Sequence, residues 1–221
     1  NGGVLGFRDT TTAAFPSNWS TGDGHYEQEM GDLDGDGDLD IYGLNWLAGF
    51  GFNDSTMRGN GDGTFDSITT LSNSNADDNE GDFLDYDQDG DQDIFANNYH
   101  LNPNLFYRNE GGGEFTQVAD AVGVKGVIEP GFEGGGVYGH SVGAAWGDID
   151  SDGDFDLIVA SLAHPRFFDF SDKTQVFKQN DDGTFTDTQG DWSFPWGDSG
   201  VRFSEGHFSP VLADFNQDGH L

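Results

Sequence analysis

Aspartates stand at every second position of residues 32–40: Asp32, Asp34, Asp36, Asp38 and Asp40. The pattern returns as Asp85, Asp87, Asp89, Asp91 and Asp93, and again as Asp148, Asp150, Asp152, Asp154 and Asp156. A fourth copy begins at Asp214, continues through Asn216, Asp218 and His220, and ends with the chain at Leu221. Two carboxylates about 4 Å apart repel by about 4 kcal/mol at an effective dielectric near 20. A cation among them removes that cost. Carboxylates at positions 1, 3 and 5, the backbone carbonyl of position 7 and the acid at position 9 make an all-oxygen set. Calcium takes such sets, and magnesium, with its smaller octahedron and retained waters, is the second choice.

Two further regularities separate these loops from a merely solvated acidic run. Position 6 is always glycine (Gly37, Gly90, Gly153, Gly219), which suits a loop that folds back through positive φ. Position 10 is aliphatic in every complete copy (Ile41, Ile94, Leu157). An EF-hand needs a glutamate at position 12 between two helices, but here position 12 is Gly43, Ala96 or Val159. The runs that follow, IYGLNW, IFANNY and LIVASL, are rich in β-branched and aromatic residues and read as buried strands. Each loop therefore joins two strands.

The elements that must carry the loops repeat with them. The first aspartates are 53, 63 and 66 residues apart, a spacing that predicts repeated supersecondary units. In phase with the loops come MRGNGDGTFD (57–66), LFYRNEGGGEFT (105–116) and VFKQNDDGTFTD (176–187), each a strand, a tight Asn/Asp/Gly turn and a strand. Residues 1–9 read as the end of another such hairpin. Short runs lead into the loops at 25–30, 79–84, 142–147 and 208–213. One unit is thus strand A, the acidic loop, strand B, a variable connection, strand C, a turn and strand D. Four antiparallel strands per repeat predict an all-β fold of propeller blades. The blades are expected at 16–70, 71–123 and 124–190. Residues 1–15 end a preceding blade, and 191–221 begin a following one.

GDLDGDGDLDIYGLN (31–45), LDYDQDGDQDIFANN (84–98) and GDIDSDGDFDLIVAS (147–161), with the hairpins above, resemble the FG-GAP/VCBS-type repeats of integrin-α-like β-propellers. The resemblance covers nearly the whole chain. It implies calcium in the A–B loops of several blades, with adhesion, ligand binding or scaffolding more common than catalysis. Some members sit in lectins, and others are appended to secreted lyases or hydrolases. Three to four blades are few for a propeller, so the chain is read as a segment of a larger one of about seven blades. The A strands HYEQEM and NEGDFL are more polar than the resemblance leads one to expect, and weaker packing is expected there.

The net charge is −33, from 41 acids and 8 bases. Seventeen of those acids lie in the four loops, which leaves 24 against 8 bases. Such a surface repels nucleic acid and anionic membranes. No cysteine is present, so no disulfide holds the fold and calcium is the expected staple. Weak calcium loops need the millimolar calcium outside cells, which points to an extracellular or cell-surface setting and a protein or glycan partner there. No apolar run is long enough to span a membrane.

No nucleophile elbow, phosphate loop or zinc pattern appears, and the chain is expected to be non-catalytic. His25, His140 and His207 each follow a glycine seven or eight residues before a loop. They read first as packing residues beside a neighbouring blade and second as ligand-binding groups at the mouth of a central channel. Phe65, Phe115 and Phe185 open strand D and read as core. Trp192 and Trp196, in a connection between blades, are candidates for stacking on a sugar or partner.

Overall fold

The computed structural model describes residues 8–16, 25–45, 54–71, 78–99, 101–126, 129–130, 136–162, 174–188 and 209–221. After a helical turn, α1 (Thr11–Ala14), the chain forms β1 (His25–Gly31), β2 (Asp40–Asn45), β3 (Ser55–Gly59) and β4 (Phe65–Thr70). Next come β5 (Asp78–Leu84), β6 (Asp93–Asn98), β7 (Leu105–Asn109), β8 (Phe115–Gln117) and the turn α2 (Ala119–Val122). The short pair β9 (Glu129–Pro130) and β10 (Gly136–Val137) precedes β11 (Ser141–Gly147), β12 (Asp156–Ser161), β13 (Gln175–Gln179) and β14 (Phe185–Asp187). The sheets β1–β4, β5–β8 and β11–β14 are four-stranded, antiparallel and in sequence order. These are three blades, each with its acidic loop between strands A and B.

Stacking of blades explains why strand B is apolar on both faces. Every residue of β6, DIFANN, is buried. Ile94 and Ala96 join Leu33, Tyr42, Leu44, Leu71, Leu105 and Tyr107 in the core between blades one and two. Phe95, one residue out of phase, faces the other way with Phe106, against Leu157, Val159, Phe177 and Phe185 of blade three. Successive side chains of a strand point to opposite faces, so a sheet packed on both sides must be apolar at consecutive positions. Tyr86, Phe106, Trp146 and Phe95 form an aromatic cluster in this second core, with ring centroids 4.6 to 5.8 Å apart.

The polar A strands pair with strand B along their length, apart from one bulge near the start of each. Glu29 and Glu80 lie where blades meet. Glu80 of β5 accepts the Ala144 N–H of β11 at 3.3 Å and the Asn97 amide at 3.4 Å, which ties blade two to blade three. Burial, and then the charge of Glu80, raises the carboxyl pKa of Glu29. Gly81 lets the blades close: a Cβ there would lie 2.9 Å from the Tyr42 ring of blade one.

Two features depart from the sequence reading. Residues 209–213 form no strand, although 208–213 reads as strand A. Leu212 and Leu221 instead pack against the bare face of Gly147. The other departure is α2, whose Ala119 and Val122 plug the core between blades two and three, with Val124 beside them. Of the strand-D phenylalanines, Phe185 is buried, whereas Phe115 and Phe65 are half-buried. Phe65 stacks on Phe15 at 5.2 Å.

Candidate metal centre

Each acidic loop is shaped by a hydrogen-bond frame. The position-1 carboxylate accepts the N–H of the position-6 glycine: Gly37 to Asp32 at 3.0 Å, Gly90 to Asp85 at 3.0 Å, Gly153 to Asp148 at 3.1 Å and Gly219 to Asp214 at 2.8 Å. The position-5 carboxylate accepts the N–H of position 7, as in Asp36 to Asp38, Asp89 to Asp91, Asp152 to Asp154 and Asp218 to His220. These bonds curl the backbone so that the acids converge. The turn needs left-handed backbone twice. Position 6 has φ of 92° to 101° in all four copies, the expected role of glycine. Position 4 is also left-handed, at Gly35, Gln88, Ser151 and Gln217, with φ from 59° to 75°. The sequence hides this second site because only one copy carries glycine there.

The frame gathers three carboxylates in each complete loop. Asp32, Asp34 and Asp36 offer oxygens within 4.8 Å of one another, as do Asp85, Asp87 and Asp93, and Asp148, Asp150 and Asp156. One oxygen each of Asp32 and Asp150 is buried without a hydrogen-bond donor. Buried carboxylate oxygens without donors are costly, and a hard cation would satisfy them. The donor set therefore fits calcium. Side chains at position 7 turn outward. The Asp38 carboxylate lies against Gly61 of its own hairpin, Asp91 lies near Gly111, and Asp154 accepts from Gln88 at 3.3 Å. The backbone carbonyl stays the group that position 7 is expected to offer an ion. In the fourth loop Asn216 donates to Asp218 at 2.8 Å, and the His220 ring hydrogen-bonds Ser151 at 2.8 Å.

Position 9 has a second task that sequence alone does not show. Asp40 accepts the N–H of Leu33 and of Gly59, both at 2.8 Å. Asp93 accepts from Tyr86 at 3.0 Å and Asn109 at 2.8 Å, and Asp156 from Ile149 and Gln179, both at 3.0 Å. One buried carboxylate thus pins the start of the loop, strand B and the end of strand C. The next blade adds a lock: the Asn109 amide donates to Leu33 O at 2.7 Å, and the Gln179 amide to Tyr86 O at 3.0 Å.

Burial governs the acidity of these clamps. Desolvation, partly offset by the two N–H donors, pushes Asp93 up to about 7 and Asp156 up to about 6, and raises Asp40. The Arg58 guanidinium hydrogen-bonded to Asp36 lowers that carboxyl. The backbone N–H of Gly219 lowers Asp214, and the Asn216 amide lowers Asp218. Acids raised in the fold hold protons that the unfolded chain has released, so stability falls as pH rises through that window. In chelator, the melting temperature should fall by about 4 °C or more between pH 5 and pH 7.5. Melts followed by circular dichroism check this, and a rise over that range would contradict it.

The remaining candidates divide. His140 is 4% exposed, with its ring 4.6 Å from that of Tyr99, beside the end of strand B in the preceding blade. It lies within the packing between blades. His25 begins β1. Trp192, Trp196 and His207, the run 191–198 and the hairpin fragment 1–7 lie outside the described residues. Among the described residues, no helix is long and apolar enough to cross a membrane.

Sequential four-stranded blades with an aspartate loop between their first two strands define a repeat-built β-propeller module. The FG-GAP-like repeat family matches residues 32–96 and 85–159, more than half of the chain, and the protein belongs to that family. No curated protein matches the chain. One solved structure, described as the specific recognition of non-reducing terminal N-acetylglucosamine by an Agrocybe aegerita lectin, is similar to it. The TM-score is 0.43 and the identity 21%, over 82% of this chain and 42% of the lectin. The chain thus spans less than half of that protein's length.

Proposed function

We propose that the chain is a calcium-binding part of an extracellular β-propeller that serves adhesion, protein binding or surface assembly and is not itself catalytic. The carboxylate cluster carries this reading, because it recurs in three successive blades on one hydrogen-bond frame. Asp34, Asp87 and Asp150 would hold the ion with the position-1 acids. Asp36 joins them in the first loop and Asp93 and Asp156 in the second and third, with the position-5 acids Asp89 and Asp152 the expected further ligands. Bound calcium supplies positive charge that cancels carboxylate repulsion. The chain's own frame supplies shape: it fixes the turn, buries the clamp and sets neighbouring loops edge to edge. The outside location rests on the calcium loops alone, since loops of low affinity need the millimolar calcium found outside cells.

Asp150→Ala and Asp152→Ala separate a metal role from a structural one. Each should lower the melting temperature by about 5–10 °C in millimolar calcium, since a loop a hundredfold above its Kd contributes about 2.7 kcal/mol. In chelator the drop should be smaller, about 2 °C for Asp152, whose pair with Lys178 is partly exposed, and somewhat more for the more buried Asp150. Equal drops under both conditions would remove that loop from the metal sites. A glycan array in calcium tests the partner class: a blank array from folded protein agrees with a protein partner, and selective, calcium-dependent glycan binding would replace that reading with a lectin-like one.

A further inference from the structure

Bases are rare in this chain, yet one stands at the same place in every blade. Only 8 of 221 residues are Lys or Arg. Arg58, Arg108 and Lys178 each precede the last residue of strand C, the residue whose N–H binds the position-9 clamp. The register is therefore fixed by the clamp itself, and each base stands beside the loop of its own blade.

The three bases do not make the same contacts. Arg58 binds Asp34 through Nε at 2.9 Å and Asp36 through Nη2 at 2.7 Å. Lys178 binds Asp152 at 2.7 Å and is also paired with Asp150. In both blades the base holds the acids at positions 3 and 5. Arg108 instead binds Glu110 through Nη2 at 2.6 Å and Nε at 3.1 Å, and only its charge reaches Asp87. Glu110 occupies the place of Asn60 and Asn180 in the other blades. Among the described residues, Asp87 and Asp89 have no basic partner like those of the other two loops.

From this arrangement we infer that Arg58 and Lys178 are internal competitors for the metal, so that the loop at 85–93 takes calcium at lower concentration than the loops at 32–40 and 148–156. The inference rests on the calcium reading above. A cation entering either outer loop must take the position-3 and position-5 oxygens from a base already bound to them. In the middle loop Glu110 has removed that competitor. The same base keeps an outer loop in shape when calcium falls, so the three blades respond over a wider range of calcium than identical loops would.

The position-6 glycine amides report each loop separately, because each donates to the position-1 acid of its own loop. A titration of the intact chain with calcium chloride, read from the amide resonances of Gly37, Gly90 and Gly153, should move Gly90 first. Arg58→Gln and Lys178→Gln should bring the Gly37 and Gly153 midpoints, respectively, to about three- to tenfold lower calcium, as loss of partly exposed ion pairs implies. Arg108→Gln should move the Gly90 midpoint least of the three, because Glu110 already engages that charge. Glu110→Asn frees Arg108 to turn onto Asp87 and Asp89 and should raise the Gly90 midpoint by a similar factor. It also provides a test if a strand-C variant fails to fold. Unmoved midpoints in Arg58→Gln, Lys178→Gln and Glu110→Asn, with calcium still binding, would overturn the competitor role alone. A folded chain in which no glycine responds to calcium would overturn the calcium reading and this inference with it.

Discussion

Asp93→Ala should lower the melting temperature by about 10 °C in chelator, and by at least as much in calcium. Asp93 is fully buried, and its two oxygens accept the N–H groups of Tyr86 and Asn109. Alanine leaves both donors buried and unpaired and opens a small cavity, a loss of about 3–5 kcal/mol. At about 2–4 °C per kcal/mol for a chain of this size, the shift is large enough to read without ambiguity. Asp93→Asn restores one acceptor but sets an amide N–H₂ against a backbone N–H, so it should recover only part of the loss. Thermal melts of both variants with and without chelator check the clamp. A drop confined to calcium would make Asp93 a ligand without a structural task.

The second large effect is that of calcium on the unaltered chain. Three loops each a hundredfold above Kd contribute about 8 kcal/mol together. That corresponds to a rise of about 15–30 °C in melting temperature. The size follows from what the ion cancels: fifteen aspartates in three short loops, with Arg58 and Lys178 the only bases paired to them among the described residues. Magnesium at equal concentration should give a smaller rise, since it gives up its waters reluctantly. A rise of less than about 2 °C in calcium would mean that the loops are held by hydrogen bonds and side-chain bases alone.

Much of the fold was legible because the loops are dense in signal. Five aspartates at alternate positions, a glycine at position 6 and an aliphatic residue at position 10 leave little room for another reading. The hairpins at 57–66, 105–116 and 176–187 are equally plain, because Gly-rich turns between apolar runs have a local physical cause. What escaped the sequence depends on distant partners. The clamp at Asp40 depends on Gly59, 19 residues on, and that at Asp156 on Gln179, 23 residues on. The polar strand NEGDFL makes sense only beside blade three, where Glu80 finds the Ala144 N–H. The bases of strand C look like ordinary exposed residues until their register with the loop is known. At position 4, Gln88, Ser151 and Gln217 hide a left-handed turn that only Gly35 announces. The expected strand at 208–213 is not seen over its described residues, 209–213.

The most direct test of a calcium-binding propeller is to count the ions. The chain would be stripped with chelator, dialysed against millimolar calcium and titrated calorimetrically, with bound metal measured by elemental analysis. A calcium-binding propeller should hold at least three calcium ions per chain, one for each complete loop. Fewer than about one ion per chain, from protein shown to be folded, would contradict it.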